Sequence, residues 1–446
     1  MGNSIQIVNG TIVNPADNKE GTGDILIKNG RIERIDFKER TFDPTKTKEI
    51  EAKEKEDSTD NETEVIDASG MYVFPGLVDA HTHFRDPGFT QKEDILSGAK
   101  AAAAGGYTAV VLMCNTKPVV DNVETFRYVV KKGEETAIHV YSCGSVSIGL
   151  KGEQLTDMRS LKEEGAVGFT DDGIPLMNED FLTKAMEECA RIGLPISLHE
   201  EDKTLIANNG INRGKASEYY GIGGSPAEAE ISLIKRDLPI ALKTGAVLDV
   251  QHVSAKESVE LIREAVLKQG EDRRIHAEAT PHHFSLTEEA VIEYGANAKC
   301  NPPLRTEEDR QAIIEGLRDN TIDLIATDHA PHTSEEKNVK ITDAPSGMTG
   351  LETALSLSYE KLVLEAGIPL MDVIATLTVN PAHVYNLEAG SLKEGGCADI
   401  CIFDPNAEYQ KDSFASKSWN SPFAGRKMKG KVVYTICEGK IIFADS

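Results

Sequence analysis

Basic residues are what this sequence is short of. Lys and Arg number 48 against 73 Asp and Glu, a formal net charge of −25. A nucleic-acid or anionic-membrane surface needs a basic patch, so this balance argues against both. Long apolar runs are also missing: none approaches the ~20 residues needed to cross a bilayer. The opening residues, MGNSIQIVNG, lack the basic region and the apolar stretch of a secretory signal. Position 6 is Gln, where an N-myristoylation pattern needs Ser or Thr. The seven cysteines, at 114, 143, 189, 300, 397, 401 and 437, are odd in number and form no CxxC pair. They read as reduced structural thiols, and the chain as a soluble cytoplasmic protein.

A chain of 446 residues can bury a large core, and it suggests one large domain with a smaller companion. The first forty residues carry hairpin signals. Asn9-Gly10 lies between Ile5, Ile7 and Ile12, Val13; Asn29-Gly30 lies between Ile25, Ile27 and Ile32, Ile35. Near the other end, Ala398 to Phe403 reads as a strand, and Lys431 to Phe443 as a hairpin turning at Glu438-Gly439. Both ends together predict a small β-sandwich-like domain over residues 1–67 and 388–446. Within it, residues 41–64 are rich in Lys, Glu, Asp and Thr and read as a mobile surface insertion.

Residues 68–387 alternate strand and helix. Apolar runs end near His83, Met113, Gly144, Thr170, His199, Val253, Thr280 and Asp328. Helical patterns follow, among them Lys92–Ala104, Asp180–Ile192 and Ala255–Gln269, each stopped by glycine. Eight such units predict an α/β fold of the (β/α)8 barrel type, with its active site at the C-terminal ends of the strands.

Candidate metal ligands recur at those ends. His81-Thr82-His83 closes the apolar run Val73 to Asp79, and residues i and i+2 of a strand face the same way. Both imidazoles can therefore reach one ion, which suits zinc and similar metals. His199 and His252 each end an apolar run; either one alone would more often be a satisfied core histidine. Asp328 ends another, and a carboxylate there is costly to bury unless paired or metal-bound. A helix cap or a histidine partner is the plainer reading. In Thr170-Asp171-Asp172-Gly173 one aspartate could bridge two metals, or both could cap a turn.

Together these residues resemble the amidohydrolase superfamily, and within it the class I dihydroorotases. The resemblance spans nearly the whole chain. It rests on PGLVDAHTHFRDPG at 75–88, GAKAAAAGGYTAV at 98–110, Asn115-Thr116-Lys117-Pro118, GFTDDG at 168–173, SAKES at 254–258, TPHH at 280–283, NPPLR at 301–305 and IATDHAPH at 325–332. It implies that His81, His83, Asp172, His199, His252 and Asp328 hold zinc, one or two ions per subunit with two the expectation. Asp172 would be the bridging carboxylate, where other members carry a carboxylated lysine. Asp328 would both touch metal and carry the proton. Arg85, Asn115, Asn301 and His332 would hold substrate. The implied reaction is reversible closure of N-carbamoyl-L-aspartate to (S)-dihydroorotate. A homodimer and an association with aspartate transcarbamoylase are the implied partners. The rival readings are another cyclic-amide hydrolase, such as a hydantoinase or allantoinase, and an inactive scaffold for a transcarbamoylase. The polar stretch from Thr333 to Gly347 is expected to bury little and to act as a lid that completes the substrate pocket with His332 and the backbone near Ser346 and Gly347.

Overall fold

The computed structural model describes residues 4–37, 63–270 and 272–445. The charged segment at 41–64 therefore lies outside the described residues, except for Thr63 and Glu64. The N-terminal strands are β1 (Ser4–Asn14), β2 (Lys19–Lys28), β3 (Arg31–Phe37), β4 (Thr63–Asp67) and β5 (Tyr72–Pro75). Asn9-Gly10 makes no hairpin. It is a bulge inside β1, with Asn9 at φ 61° and the register against β2 slipping between Ile7 and Gly10. A side chain at Gly10 would meet Val73 Cγ2 at 2.5 Å, so the glycine serves close strand packing rather than chain reversal. Asn29-Gly30, with both residues at positive φ, is the expected hairpin between β2 and β3.

The apolar run from Val73 to Asp79 is also not one strand. It divides at Pro75-Gly76 into β5 and β6 (Leu77–Thr82). A side chain at Gly76 would fall 2.1 Å from Thr108 Oγ1, so the chain passes tightly from one sheet to the other here. β6 opens a series of parallel strands: β7 (Tyr107–Leu112), β8 (His139–Ser142), β9 (Phe169–Thr170), β10 (Ile196–Leu198), β11 (Leu248–Val250), β12 (Ile275–Ala279) and β13 (Leu324–Ile325). Pairing runs β6-β7-β8 and β9-β10-β11-β12-β13. The bridge Gly144–Phe169 joins the first set to the second, and Thr82–His329 joins the second back to the first. Eight parallel strands thus close into a barrel. Nearly all of their residues are buried, which is why they read as continuous rather than alternating apolar runs.

Helices between the strands start where short polar side chains cap them. Asp94 caps Ile95–Ala104, Asn178 caps Glu179–Ile192, and Thr306 caps Glu307–Arg318. The first begins three residues later than its pattern suggests, because Asp94 is extended and takes the cap, its Oδ1 accepting Ser97 N–H at 2.8 Å. No helix among the described residues is long and apolar enough to cross a membrane.

After the barrel come β14 (Ile400–Gln410), β15 (Lys427–Cys437) and β16 (Lys440–Ala444). They extend the first sheet in the order β16-β15-β14-β5-β1-β2-β3, with β4 also paired to β1. That sheet has its own core of Ile5, Ile7, Ile12, Ile25, Ile27, Val73, Ile400, Ile402 and Ile436.

Candidate metal centre

The barrel strands are short, so most of the candidate ligands sit one to three residues past their ends. His81 is in β6 and His83 follows it; their ring centroids are 5.3 Å apart. Both Asp171 and Asp172 lie beyond β9, where strand alternation no longer decides which one faces inward. The loop decides instead. Asp171 turns away: its Oδ1 accepts the N–H groups of Val146 at 2.8 Å and Ser147 at 3.1 Å, and its Oδ2 accepts the Ser147 hydroxyl. Asp172 faces the barrel axis. Its Oδ1 is 3.5 Å from His81 Nε2, 3.7 Å from His199 Nδ1 and 3.8 Å from His252 Nε2, and its Oδ2 is 3.4 Å from His83 Nε2. Asp328 Oδ1 lies 3.0 Å from His83 Nε2 and 3.6 Å from His81 Nε2. The six expected ligands thus form one buried cluster.

The backbone is strained to reach it. Arg85, His252 and Asp328 have φ of 59°, 31° and 46°, in the left-handed region. Such residues cost ~1–3 kcal/mol each and gather at functional sites. β13 ends at Ile325 instead of running on to Thr327, whose N–H donates to the Asp79 carboxylate rather than to a neighbouring strand.

Three acidic and amide groups that the sequence does not single out, or points to for another role, orient the imidazoles, and a fourth, Asp79, holds the backbone. Glu278 Oε2 sits 3.0 Å from His81 Nδ1, and Glu201 Oε2 sits 3.1 Å from His199 Nε2. Carboxylates behind metal-binding histidines fix the ring and raise its basicity. Their signals in the sequence are an acidic residue inside the buried strand IHAEA and one two positions past His199. Asn115 bridges two ligands: its Oδ1 is 3.0 Å from His83 Nδ1, and its Nδ2 donates to Asp172 Oδ2 at 2.9 Å. Asp79, buried in β6, accepts the N–H groups of His81 and Thr327, both at 3.1 Å, and so locks β6 to the end of β13. Burial, opposed by those bonds, pushes its carboxyl up to about 6.

Charge within the cluster is balanced by contact. Burial works against ionisation of Asp172, but His81, His199 and His252 outweigh it and hold the carboxyl well below its usual range. Burial likewise opposes protonation of His81, and Glu278 and Asp172 overcome it. His81 Nε2 has no hydrogen-bond partner although it is fully buried. An orphaned imidazole nitrogen aimed between two carboxylates fits a metal ion, as does a donor set of imidazole nitrogens and carboxylate oxygens.

The expected substrate residues rim this cluster. Arg85 Nε donates to Pro331 O at 3.2 Å, and its Nη2 lies 3.3 Å from His332 Nε2. His332 is kept neutral: burial, then Arg85, Lys337 and Lys92, push its imidazolium down to about 2. Asn301 Oδ1 is buried with no hydrogen-bond partner. Ser346 O is 3.0 Å from His332 Nε2, and Gly347 N donates to Lys299 O at 2.8 Å.

The stretch from Thr333 to Gly347 buries more than its polarity suggests. It contains a short helix, Ser334–Lys337, and Lys337, Ala344 and Gly347 are buried. Two lysines pin it down. Lys337 Nζ donates to Ala296 O at 2.9 Å and Pro345 O at 2.8 Å, and Lys299 Nζ donates to Ile341 O at 2.9 Å and Ala344 O at 2.6 Å. The segment is anchored over the rim by amines directed at backbone carbonyls. Lys337→Met should leave the two carbonyls unpaired and loosen the segment by ~1–3 kcal/mol. Limited proteolysis within residues 333–347 measures this, and unchanged cleavage would show that the anchor is elsewhere.

Residues 72–442 match the family described as Amidohydrolase family. A dihydroorotase of Clostridioides difficile (strain 630) is 46% identical over 439 residues, covering 98% of this chain and 99% of its own. One from Clostridium acetobutylicum is 47% identical over 443 residues, covering 99% and 100%. The chain belongs to the amidohydrolase family, and within it to the dihydroorotases. Membership makes it a hydrolase of a metal-dependent family, in keeping with the cluster. Among solved structures, an L-hydantoinase from Arthrobacter aurescens superposes with a TM-score of 0.84 at 26% identity, over 99% of this chain and 96% of that one. Dihydroorotases and hydantoinases therefore share this architecture, and the fold alone does not choose between their substrates.

Proposed function

We propose that the chain interconverts N-carbamoyl-L-aspartate and (S)-dihydroorotate, a step of de novo pyrimidine synthesis, in the cytoplasm. The observation that carries this reading is the 44–47% identity, over nearly the full length, to proteins named dihydroorotase. Arg85 at the rim supports it, because a planar guanidinium suits the carboxylate that a simple hydantoin lacks. With the reading goes a division of the chain into a catalytic barrel, 68–387, and a sheet unit from 1–67 and 388–446, into which β5 also reaches.

Bound at His81, His83, Asp172, His199, His252 and Asp328, one or two zinc ions would polarise the ring carbonyl and lower the pKa of a water from 15.7 to ~7. The rest falls to the side chains. Arg85 and neutral His332 hold the substrate carboxylate. Asn301, whose Oδ1 is unpartnered, accepts a ring N–H. Asn115 is engaged by His83 and Asp172, so its part is to orient the metal ligands as well as to meet substrate. In hydrolysis Asp328 takes a proton from the attacking water and passes it to the departing ring nitrogen. In cyclisation it returns that proton to the leaving oxygen. Positioned proton transfer of this kind contributes ~10²–10⁴-fold.

Ring closure joins a carboxylate to a ureido nitrogen, and it consumes one proton. The equilibrium ratio of dihydroorotate to carbamoyl-aspartate should therefore fall about tenfold for each unit rise in pH. Assays of both directions between pH 6 and 9 test the sign. Purified metal-loaded protein that turns over hydantoin but not dihydroorotate would overturn the proposal. The resemblance also implies a homodimer and contact with aspartate transcarbamoylase. Light scattering, of the chain alone and mixed with that enzyme, checks both.

A further inference from the structure

A second set of ligand-type side chains lies at the other end of the barrel. His139 is the first residue of β8, so it sits at the strand's N-terminal end, whereas the candidate metal centre lies at the C-terminal ends. Cys397 and Asp399 come from the sheet unit, just ahead of β14, and Cys437 is the last residue of β15. His139 Nε2 lies 3.0 Å from Asp399 Oδ2, and Cys397 Sγ lies 3.3 Å from Asp399 Oδ1. His139, Asp399 and Cys437 offer donor atoms that all lie within 4.8 Å of one another. Cys397 lies outside that set of three and adjoins it through Asp399.

One thiol, one imidazole and one carboxylate thus converge from two sheets that share no strand, with a second thiol, Cys397, beside the carboxylate. Asp399 and Cys437 are 4% and 2% exposed. The carboxylate is steadied from behind, since Glu438 N–H donates to Asp399 Oδ1 at 2.8 Å. A cleft of about 490 Å³ lined by His139, Cys437 and Glu438 leads to the group from outside. These three donors, with Cys397 as a fourth, match in number and kind a tetrahedral zinc site.

The plain alternative is an imidazolium paired with Asp399 between two bystander thiols. It explains the short His139–Asp399 contact but gives no reason for the Cys437 thiol to lie within 4.8 Å of both. Burial pushes the Cys437 thiol up to about 11. A thiolate there needs a cation beside it.

We propose that His139, Cys397, Asp399 and Cys437 bind one soft divalent ion of the zinc class, clamping the terminal sheet to the floor of the barrel. The ion replaces the protons of both thiols and of the imidazolium, which leave to solvent. Thiolate donors select zinc, cobalt or cadmium over magnesium and calcium.

Cobalt(II) titrated into metal-stripped full-length chain tests this. The catalytic cluster offers only nitrogen and oxygen, so a thiolate-to-cobalt charge-transfer band reports on the proposed site. The band should account for about one cobalt beyond those that the catalytic cluster takes up, and vanish in the Cys397→Ser/Cys437→Ser pair. It should survive in Cys300→Ser, which controls for the thiol beside His282 and His283. A second measurement needs no variant. In the unmutated chain, zinc should slow alkylation of Cys397 and Cys437, mapped by mass spectrometry, relative to the stripped chain. A missing band, a band that outlasts the double substitution, or equal alkylation with and without zinc each overturns the proposal.

Discussion

Asp328→Asn should lower turnover in both directions by ~10³-fold or more, with the barrel intact. Asn matches Asp in volume, and it is among the few residues that tolerate the left-handed backbone, here φ 46°. The substitution therefore tests chemistry rather than folding. Asp328 Oδ1, 3.0 Å from His83 Nε2, keeps an amide oxygen or nitrogen in its place, but the amide cannot carry a proton. Burial disfavours the carboxylate, yet the neighbouring histidines His83, His81 and His252 hold its pKa far below the usual range. Steady-state kcat in each direction, read beside an unchanged melting temperature, checks the expectation. A variant with near-full kcat would show that another residue moves the proton.

The second large effect separates two adjacent carboxylates. Asp172→Ala should strip metal and lower activity by at least ~10²-fold, because its two oxygens face His81, His83, His199 and His252 at once. Asp171→Ala should retain metal. Its cost should appear instead as ~1–3 kcal/mol of stability, since the buried N–H groups of Val146 and Ser147 lose their acceptor. Elemental analysis and thermal melts on both variants decide the matter. If the melting loss fell on Asp172 and the metal loss on Asp171, the assignment would be reversed.

How far the sequence reveals this molecule depends on the range of the interaction concerned. The barrel strands are legible because burial on both faces writes a continuous apolar run for each. The ligand histidines are legible because each follows such a run. Asp172 is legible only through resemblance: strand alternation cannot select it, since β9 ends at Thr170 and the choice is made by Val146 and Ser147 more than twenty residues away. Glu278 and Glu201 go unnoticed because an acid behind a histidine has no local pattern. Asn9-Gly10 misleads for the same reason, since Val73 crowding Gly10 is a long-range contact that a turn rule cannot contain. The anchoring of residues 333–347 by Lys299 and Lys337 hides behind polar composition, because a lysine's apolar stem can be buried while its amine meets carbonyls.

The seam between β5 and β14 has a consequence for synthesis on the ribosome. β5 lies between β1 and β14, and Cys401 of β14 is matched to Phe74 of β5. More than three hundred residues, the whole barrel among them, are translated after β5 and before β14. Throughout that interval one edge of β5 stays unpaired, and Val73 and Phe74 beside it await the side chains of Ile400, Ile402 and Phe403. An open apolar edge invites pairing with other chains. The nascent enzyme is therefore most exposed to aggregation and to chaperone capture when its catalytic barrel is already made, and that exposure ends only with the arrival of β14.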